Sequence, residues 1–189
     1  MKQTEREALF DLLQKLSYEK RKVILASGRK SDFYIDCRKV SLHPLGTVLC
    51  GRVMREHFAE LGVQAAGVGG PTLGADPLIT SFAIAAYEAG TPMPSFIVRK
   101  EAKGHGTGKW IEGLSNLESD APVILLEDVV TTGGSTVRAL EACRAEGICP
   151  VHVICLVDRQ EGGREAIENA GVTFSSIFTR THFERGTPG

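Results

Sequence analysis

No apolar run in this 189-residue chain approaches the roughly 20 residues that a membrane-crossing helix requires. The opening, MKQTEREALFDLL, mixes charges among helically spaced apolar residues and lacks the character of a secretory signal. The reading is a cytoplasmic protein with no membrane association. Excess charge is also lacking. A formal net charge of −1 provides no strongly basic face for nucleic acid, so any polyanion that binds must be small and met by local groups. The five cysteines, Cys37, Cys50, Cys143, Cys149 and Cys155, form no C-x-x-C pair and have no clustered histidines beside them. Neither a disulfide framework nor a zinc site is suggested, and buried reduced thiols are expected. Nucleotide-loop signatures are missing too. Gly104 to Lys109 has the wrong spacing for a G-x-x-x-x-G-K-S/T loop and ends in Trp110, and Gly67-Val68-Gly69 lacks the third glycine of a dinucleotide fingerprint. No internal repeat or low-complexity segment is present.

What is there suits a self-sufficient globular domain. An apolar content of 42% and a charged content of 24% are ordinary, and a chain of this length buries roughly 70% of its unfolded surface without staples. One domain spanning 1–189 is expected. Thr4 followed by Glu7 makes a capping box, and Ala8, Leu9, Leu12, Leu13 and Leu16 form a helical stripe, so the chain opens with a helix. Residues 23–25 and 33–36 read as short strands around Ser27-Gly28-Arg29-Lys30-Ser31, a hairpin-like hood over about 1–40. A helix starts at Pro44, a residue favoured in a first turn, and stops at Gly62. Thereafter strand 63–68, helix 76–89, strand 95–99, strand 123–126, helix 135–146, strand 151–157, helix 163–169 and strand 172–178 alternate as βα units do. This predicts an α/β fold with a central, mainly parallel sheet flanked by helices. The tail from Arg185 to Gly189 is expected to fray, and one connection, about 100–120, is too long for a simple turn.

The most informative stretch is VILLEDVVTTGGST, residues 123–136. Val123 to Leu126 show no polar alternation, as in a strand covered on both faces, and ligands bind such sheets at strand C-termini. Gly133 and Gly134 allow a tight turn with inward N–H groups, while Thr131, Thr132, Ser135 and Thr136 add hydroxyls at a helix start. A phosphate monoester fits there. Glu127 and Asp128 would repel phosphate, so they face sugar hydroxyls or a divalent ion carried by the ligand. Phosphate beside a diol is the mark of a ribose 5-phosphate.

This segment resembles the phosphoribosyl diphosphate (PRPP) motif of the type I phosphoribosyltransferases, and three further elements resemble the orotate branch of that family. Lys103-Gly104-His105-Gly106, with Ile111-Glu112-Gly113 downstream, is similar to its lid loop. Ser27-Gly28-Arg29-Lys30-Ser31-Asp32-Phe33-Tyr34 looks like its S-G-x-x-S-x-x-Y element, and Gly69 to Pro77 like its diphosphate loop. Val157-Asp158-Arg159-Gln160-Glu161-Gly162-Gly163 looks like its D-R-x-x-G-G turn. The resemblance implies a type I phosphoribosyltransferase fold with an N-terminal hood and a flexible lid over about 100–120. It implies a homodimer using orotate and PRPP with Mg2+ carried by PRPP and no direct protein ligand to the metal. Glu127, Asp128, Val129, Val130, Thr131, Thr132, Gly133, Gly134 and Ser135 would hold ribose and 5-phosphate, and Thr72 and Leu73 the diphosphate. Thr131, Arg159, Phe33 and Tyr34 would meet orotate. Lys100 would reach the diphosphate of its own subunit, and Arg99, Lys103 and His105 the partner's site.

Two departures stand out, because Ala26 and Leu73 occupy places where many relatives carry lysine; a difference in PRPP affinity is the expected result. The implied reaction gives orotidine 5′-monophosphate and diphosphate, with catalytic roles for Lys103, His105 and Asp128. The rival readings are a phosphoribosyltransferase taking a purine base and a PRPP-binding regulator without activity. Lys103→Ala should depress turnover far more than folding stability, checked by steady-state rates beside a thermal melt; wild-type turnover in that variant would remove Lys103 from the mechanism.

Overall fold

The first helix, α1 (Glu5–Leu16), begins where the sequence places it. Thr4 Oγ1 accepts from the Glu7 N–H at 3.2 Å and Glu7 Oε2 accepts from the Thr4 N–H at 2.8 Å, so the capping box is closed. The structure, a computed structural model, describes residues 3–21, 23–24, 30–101 and 110–188, with only the backbone pairing of 23–24 and 30–31. Four short strands follow: β1 (Tyr18–Glu19), β2 (Val23–Ile24), β3 (Lys30–Ser31) and β4 (Tyr34–Ile35). They form two small antiparallel pairs, β1 with β4 and β2 with β3, in the place expected for the hood. A one-turn helix α2 (Arg38–Ser41) leads to α3 (Pro44–Leu61), which starts with proline and ends at Gly62 in the left-handed conformation, φ 65°.

The centre of the molecule is a sheet of four parallel strands, β5 (Gly67–Gly69), β8 (Pro122–Val130), β9 (Cys149–Asp158) and β10 (Thr173–Thr179), in the order β10-β9-β8-β5. Helix α4 (Asp76–Glu88) follows β5; the hairpin pair β6 (Ile97–Val98) and β7 (Ile111–Glu112) and a 3-10 turn at Leu114–Asn116 precede β8. Helices α5 (Gly134–Ala145) and α6 (Gly163–Asn169) connect the later strands, and α7 (Arg180–Arg185) closes the chain. Alternation along β8 and β9 sorts the core into two layers. Ile124, Leu126, Ile154 and Leu156 pack with residues of α1, α3 and α4, while Val123, Leu125, Val153 and Cys155 pack with Ala139, Leu140, Cys143 and Ile167 of α5 and α6.

Several boundaries differ from expectation. Strand β8 does not stop at Leu126 but carries its pairing with β9 through Glu127↔Cys155 to Val130↔Asp158. Strand β5 is shorter than 63–68, because only Gly67 to Gly69 reach the β8 ladder. The connection expected as one loop over 100–120 contains β7 and the 3-10 turn. Of the tail expected to fray, α7 ends at Arg185, the Gly186 and Thr187 N–H groups donate to the Phe183 and His182 carbonyls at 3.3 and 3.1 Å, and Gly189 lies outside the described residues. Cys149 is exposed, against the expectation of uniformly buried thiols; the other four are buried.

Helix α7 brings Phe183 into a cluster that fastens the hood to the sheet. Its ring centroid lies 5.0 Å from Phe10, 5.5 Å from Tyr18 and 5.9 Å from Phe33. At the sheet edge, His57 Nε2 stands 2.9 Å from Ser175 Oγ, His152 Nε2 2.7 Å from the same oxygen, and His152 Nδ1 2.6 Å from Thr173 Oγ1, whose hydroxyl donates to the Val151 carbonyl at 3.0 Å. No helix of the described residues is long and apolar enough to cross a membrane. Helices α3 and α4 meet at Gly51, where an added Cβ would overlap the Ser81 carbonyl. Gly51→Ala is therefore expected to destabilise the fold by about 1–3 kcal/mol, measured by chemical denaturation.

Candidate active site

Three strand ends converge on one cleft. A cavity of about 390 Å³ is bounded by Tyr34 to Arg38 of the hood, by Pro71 to Gly74 after β5, and by Glu127, Asp128, Val129 and Ser135 from β8 and α5, with Lys100 at its rim. A second hollow of about 480 Å³ shares Pro71, Thr72, Lys100 and Ser135 and extends between α5 and Arg99 and Trp110. Thr72 thus forms a partition between the two. Its N–H donates to the Val98 carbonyl at 2.9 Å, and its hydroxyl to Asp76 Oδ2 at 2.8 Å. Both loop glycines are packed against β8: a Cβ at Gly70 would overlap the Leu126 carbonyl, and one at Gly74 would come 2.6 Å from Asp128 Oδ2.

One member of the acidic pair is buried and the other half-buried. Glu127 is 5% exposed and accepts from the Thr136 hydroxyl at 3.0 Å. Burial, followed by the adjacent Asp128 charge, pushes the Glu127 carboxyl well above the usual carboxylate range. Burial also raises Asp128, but the Val129 N–H, a hydrogen bond with Glu127 and the Arg38 charge act against it. The two carboxyls are thus a coupled pair, both raised by burial and Glu127 the further of the two, with Asp128 lining the cleft.

Directly beyond the acids the chain turns into α5. Gly133 has φ 79°, a conformation that a side chain resists, and it packs against the turn before α6: a Cβ at Gly133 would lie 2.9 Å from the Gly163 carbonyl. Arg159 N–H donates to the Val130 carbonyl at 2.9 Å. The two turns are thereby locked side by side, and the first N–H groups of α5 have no intrahelical acceptor. Amide donors at a helix start beside two acids accommodate a phosphorylated sugar: anion on the amides, hydroxyls on the carboxylates.

Comparison with known proteins fits this geometry. Residues 61–188 match the model of the phosphoribosyl transferase domain. The chain is 44% identical over 185 residues to an orotate phosphoribosyltransferase of Sorangium cellulosum, covering 98% of this chain and 96% of that protein. It is 42% identical over 177 residues to the Aquifex aeolicus orotate phosphoribosyltransferase, covering 92% and 94%. The chain belongs to the orotate phosphoribosyltransferase family. Its fold superposes on the Mycobacterium tuberculosis orotate phosphoribosyltransferase with a TM-score of 0.81 at 39% identity, covering 95% of this chain and 99% of that one. An M. tuberculosis orotate phosphoribosyltransferase structure in complex with PRPP gives 0.78 at 36% identity, covering 96% and 99%.

Among the positions marked in the sequence of this orotate phosphoribosyltransferase family member, the cleft gathers Thr72, Leu73, Lys100, Glu127, Asp128, Val129, Ser135 and Tyr34. Leu73 is 60% exposed there, an apolar side chain on the cleft wall. Val130 and Gly133 are buried, while Thr132 and Gly134 are exposed on the turn and Thr131 is half-buried. Arg99 pairs with Glu112 of its own hairpin at 3.2 Å. Phe33 turns its side chain into the aromatic cluster, and Arg159 is 7% exposed beside it. Ala26, Lys103 and His105 lie outside the described residues. Sequence reasoning missed Asp36 and Arg38 on the cleft wall, which no motif spacing marks, although an Asp-Cys-Arg run stands one residue beyond the Phe-Tyr pair.

The raised Glu127 pKa has a stability consequence. The folded state keeps its proton to higher pH than the unfolded chain, so stability contributed by that proton is lost as pH rises from the ordinary carboxylate range through the folded pKa. Glu127→Gln should abolish that fall and melt higher than wild type at neutral pH, read from thermal melts across pH.

Proposed function

We propose that this protein is an orotate phosphoribosyltransferase that transfers ribose 5-phosphate from PRPP to orotate, giving orotidine 5′-monophosphate and diphosphate in pyrimidine nucleotide synthesis. The observation that carries the reading is the Glu127–Asp128 pair, Glu127 buried and Asp128 on the cleft wall, placed just before the amide-bearing start of α5 and beside the Thr72–Gly74 loop. The 5-phosphate belongs on the turn 131–135, the ribose hydroxyls on Glu127 and Asp128, and the diphosphate on the loop carrying Thr72 and Leu73, with Lys100 at the rim. Thr131, Arg159, Phe33 and Tyr34 surround orotate, whose carboxylate suits a guanidinium fork.

The chemistry asks little of any one side chain beyond placement. Departure of diphosphate leaves oxocarbenium-like charge on the ribose, so holding the sugar and stabilising the leaving oxygens lower the barrier. Asp128, beside the sugar, stabilises that positive character; Lys103 and His105 neutralise the leaving oxygens and shield the reacting carbon from water. No nucleophilic residue is required. Arg38 holds both carboxylate oxygens of Asp36, at 2.8 and 3.1 Å, which leaves Asp128 as the hard oxygen donor on the cleft wall. Mg2+ arriving with PRPP would supply Lewis-acid stabilisation of the diphosphate.

The working unit in this reading is a cytoplasmic homodimer, with Arg99, Lys103 and His105 acting across the interface. Exposed Leu42, Leu45, Val48, Ile84 and Tyr87 support association through the α2–α4 side. Mixing the protein with orotate, PRPP and magnesium should deplete orotate absorbance, with no loss when magnesium is withheld and none on substituting a purine base. Turnover of the purine base alone would reassign the substrate, and binding of PRPP without any turnover would favour a regulator.

A further inference from the structure

The guanidinium read as the partner of the orotate carboxylate already holds a carboxylate of its own chain. Arg159 Nη2 lies 2.9 Å from Glu161 Oε1, with the two side chains only 8% and 14% exposed. The same nitrogen donates to the Phe33 carbonyl at 3.1 Å, and the guanidinium carbon sits 5.6 Å from the Phe33 ring centroid. The turn makes the pairing possible. Gln160 takes φ 56°, its N–H donates to Asp158 Oδ1 at 2.7 Å, and its side-chain carbonyl accepts from the Thr181 N–H at 3.2 Å and the Thr181 hydroxyl at 2.7 Å. With Gln160 drawn toward α7, residues 159 and 161 meet.

A second carboxylate cannot simply be added to this arrangement. Two anions against one guanidinium, away from water, repel each other and leave the site with excess negative charge. We propose that Glu161 is an internal stand-in for the substrate carboxylate: it holds Arg159 in place while the base site is empty and yields that contact to orotate. The inference rests on the assignment of Arg159 to the orotate site.

The exchange acts as a specificity device. Separating a buried pair is costly unless an equivalent partner replaces the one removed. A pyrimidine with a carboxylate supplies that partner, and an uncharged base does not. The same exchange weakens orotate binding by whatever the Arg159–Glu161 contact is worth.

The test uses the full-length enzyme with orotate varied at saturating PRPP, and PRPP varied at saturating orotate. Glu161→Gln removes the charge at constant shape and should lower the KM for orotate about tenfold, roughly 1.4 kcal/mol of binding, with kcat and the KM for PRPP little changed. Glu161→Asp, which keeps the charge but shortens the reach, should lower it less and keeps the test open if the glutamine variant does not fold. A purely structural Glu161 would instead raise the orotate KM on loosening Arg159. Arg159→Lys separates the two levels. If it leaves the orotate KM unchanged, the Arg159 assignment and the stand-in both fall; if it raises that KM while both Glu161 variants leave it equal or higher, the stand-in alone is overturned.

Discussion

The parallel pairing of β8 with β5 on one side and β9 on the other is the constraint on which this molecule depends. It sets the ends of β5 and β8 side by side, so the loops after them open onto the same cleft, while the turn after β9 packs against the turn after β8. Parallel strands require covering helices on both faces, and the alternating residues of β8 provide the apolar contact for each layer. The helices leave the strand ends uncovered, and the polar groups collect there. Close glycine contacts then fix the loops relative to one another: Gly70 and Gly74 hold the β5 loop on β8, and Gly133 and Gly163 join the turns after β8 and β9. A methyl group at any of these positions would move a loop by a distance that matters to binding.

Much of this was legible because it rests on local pattern. The apolar run at 123–126, the capping box at Thr4 and Glu7, and the Pro44 to Gly62 helix follow from propensity and short-range hydrogen bonding. The turn at 131–135 follows from its glycines and hydroxyls. Other features depend on partners distant in sequence. Polarity at Glu127 and Asp128 suggested that the strand had ended, yet the ladder to Cys155, Val157 and Asp158 continues, because backbone pairing does not require an apolar side chain. Strand β7 is two residues long and acquires its identity only by pairing with β6. Helix α7, at six residues, is too short for periodicity to reveal; Phe183 shows its purpose only beside Phe10, Tyr18 and Phe33.

The site also shows how burial distributes roles among similar groups. Glu127 and Asp128 are neighbours in sequence but not in environment. One is enclosed under Thr136, with its pKa pushed up the further of the two, and the other faces the cleft near Arg38. Adjacent carboxyls are thus differentiated by solvent access and by a single hydroxyl. Arg159 is treated similarly: its guanidinium is set by the Phe33 ring, the Phe33 carbonyl and a turn residue, with the hood and the sheet each supplying part. Phe33 joins the placement of Arg159 to the aromatic anchoring of the hood, so the two cannot be varied independently.

The hydrogen-bonded row at the β9–β10 edge has a direction. Thr173 gives its hydroxyl hydrogen to the Val151 carbonyl, so its oxygen must accept from His152 Nδ1–H. His152 Nε2 is then an acceptor, Ser175 donates to it, and Ser175 Oγ is left to accept from His57 Nε2–H. Every proton in the row is assigned, and both imidazoles are confined to a single tautomer. An imidazolium at His152 has no lone pair for Ser175, and burial already holds that ring's pKa down to about 4. As pH falls below the ordinary histidine range the unfolded chain takes up the proton first, so acid draws stability from this edge of the sheet, far from the chemistry and without touching a substrate.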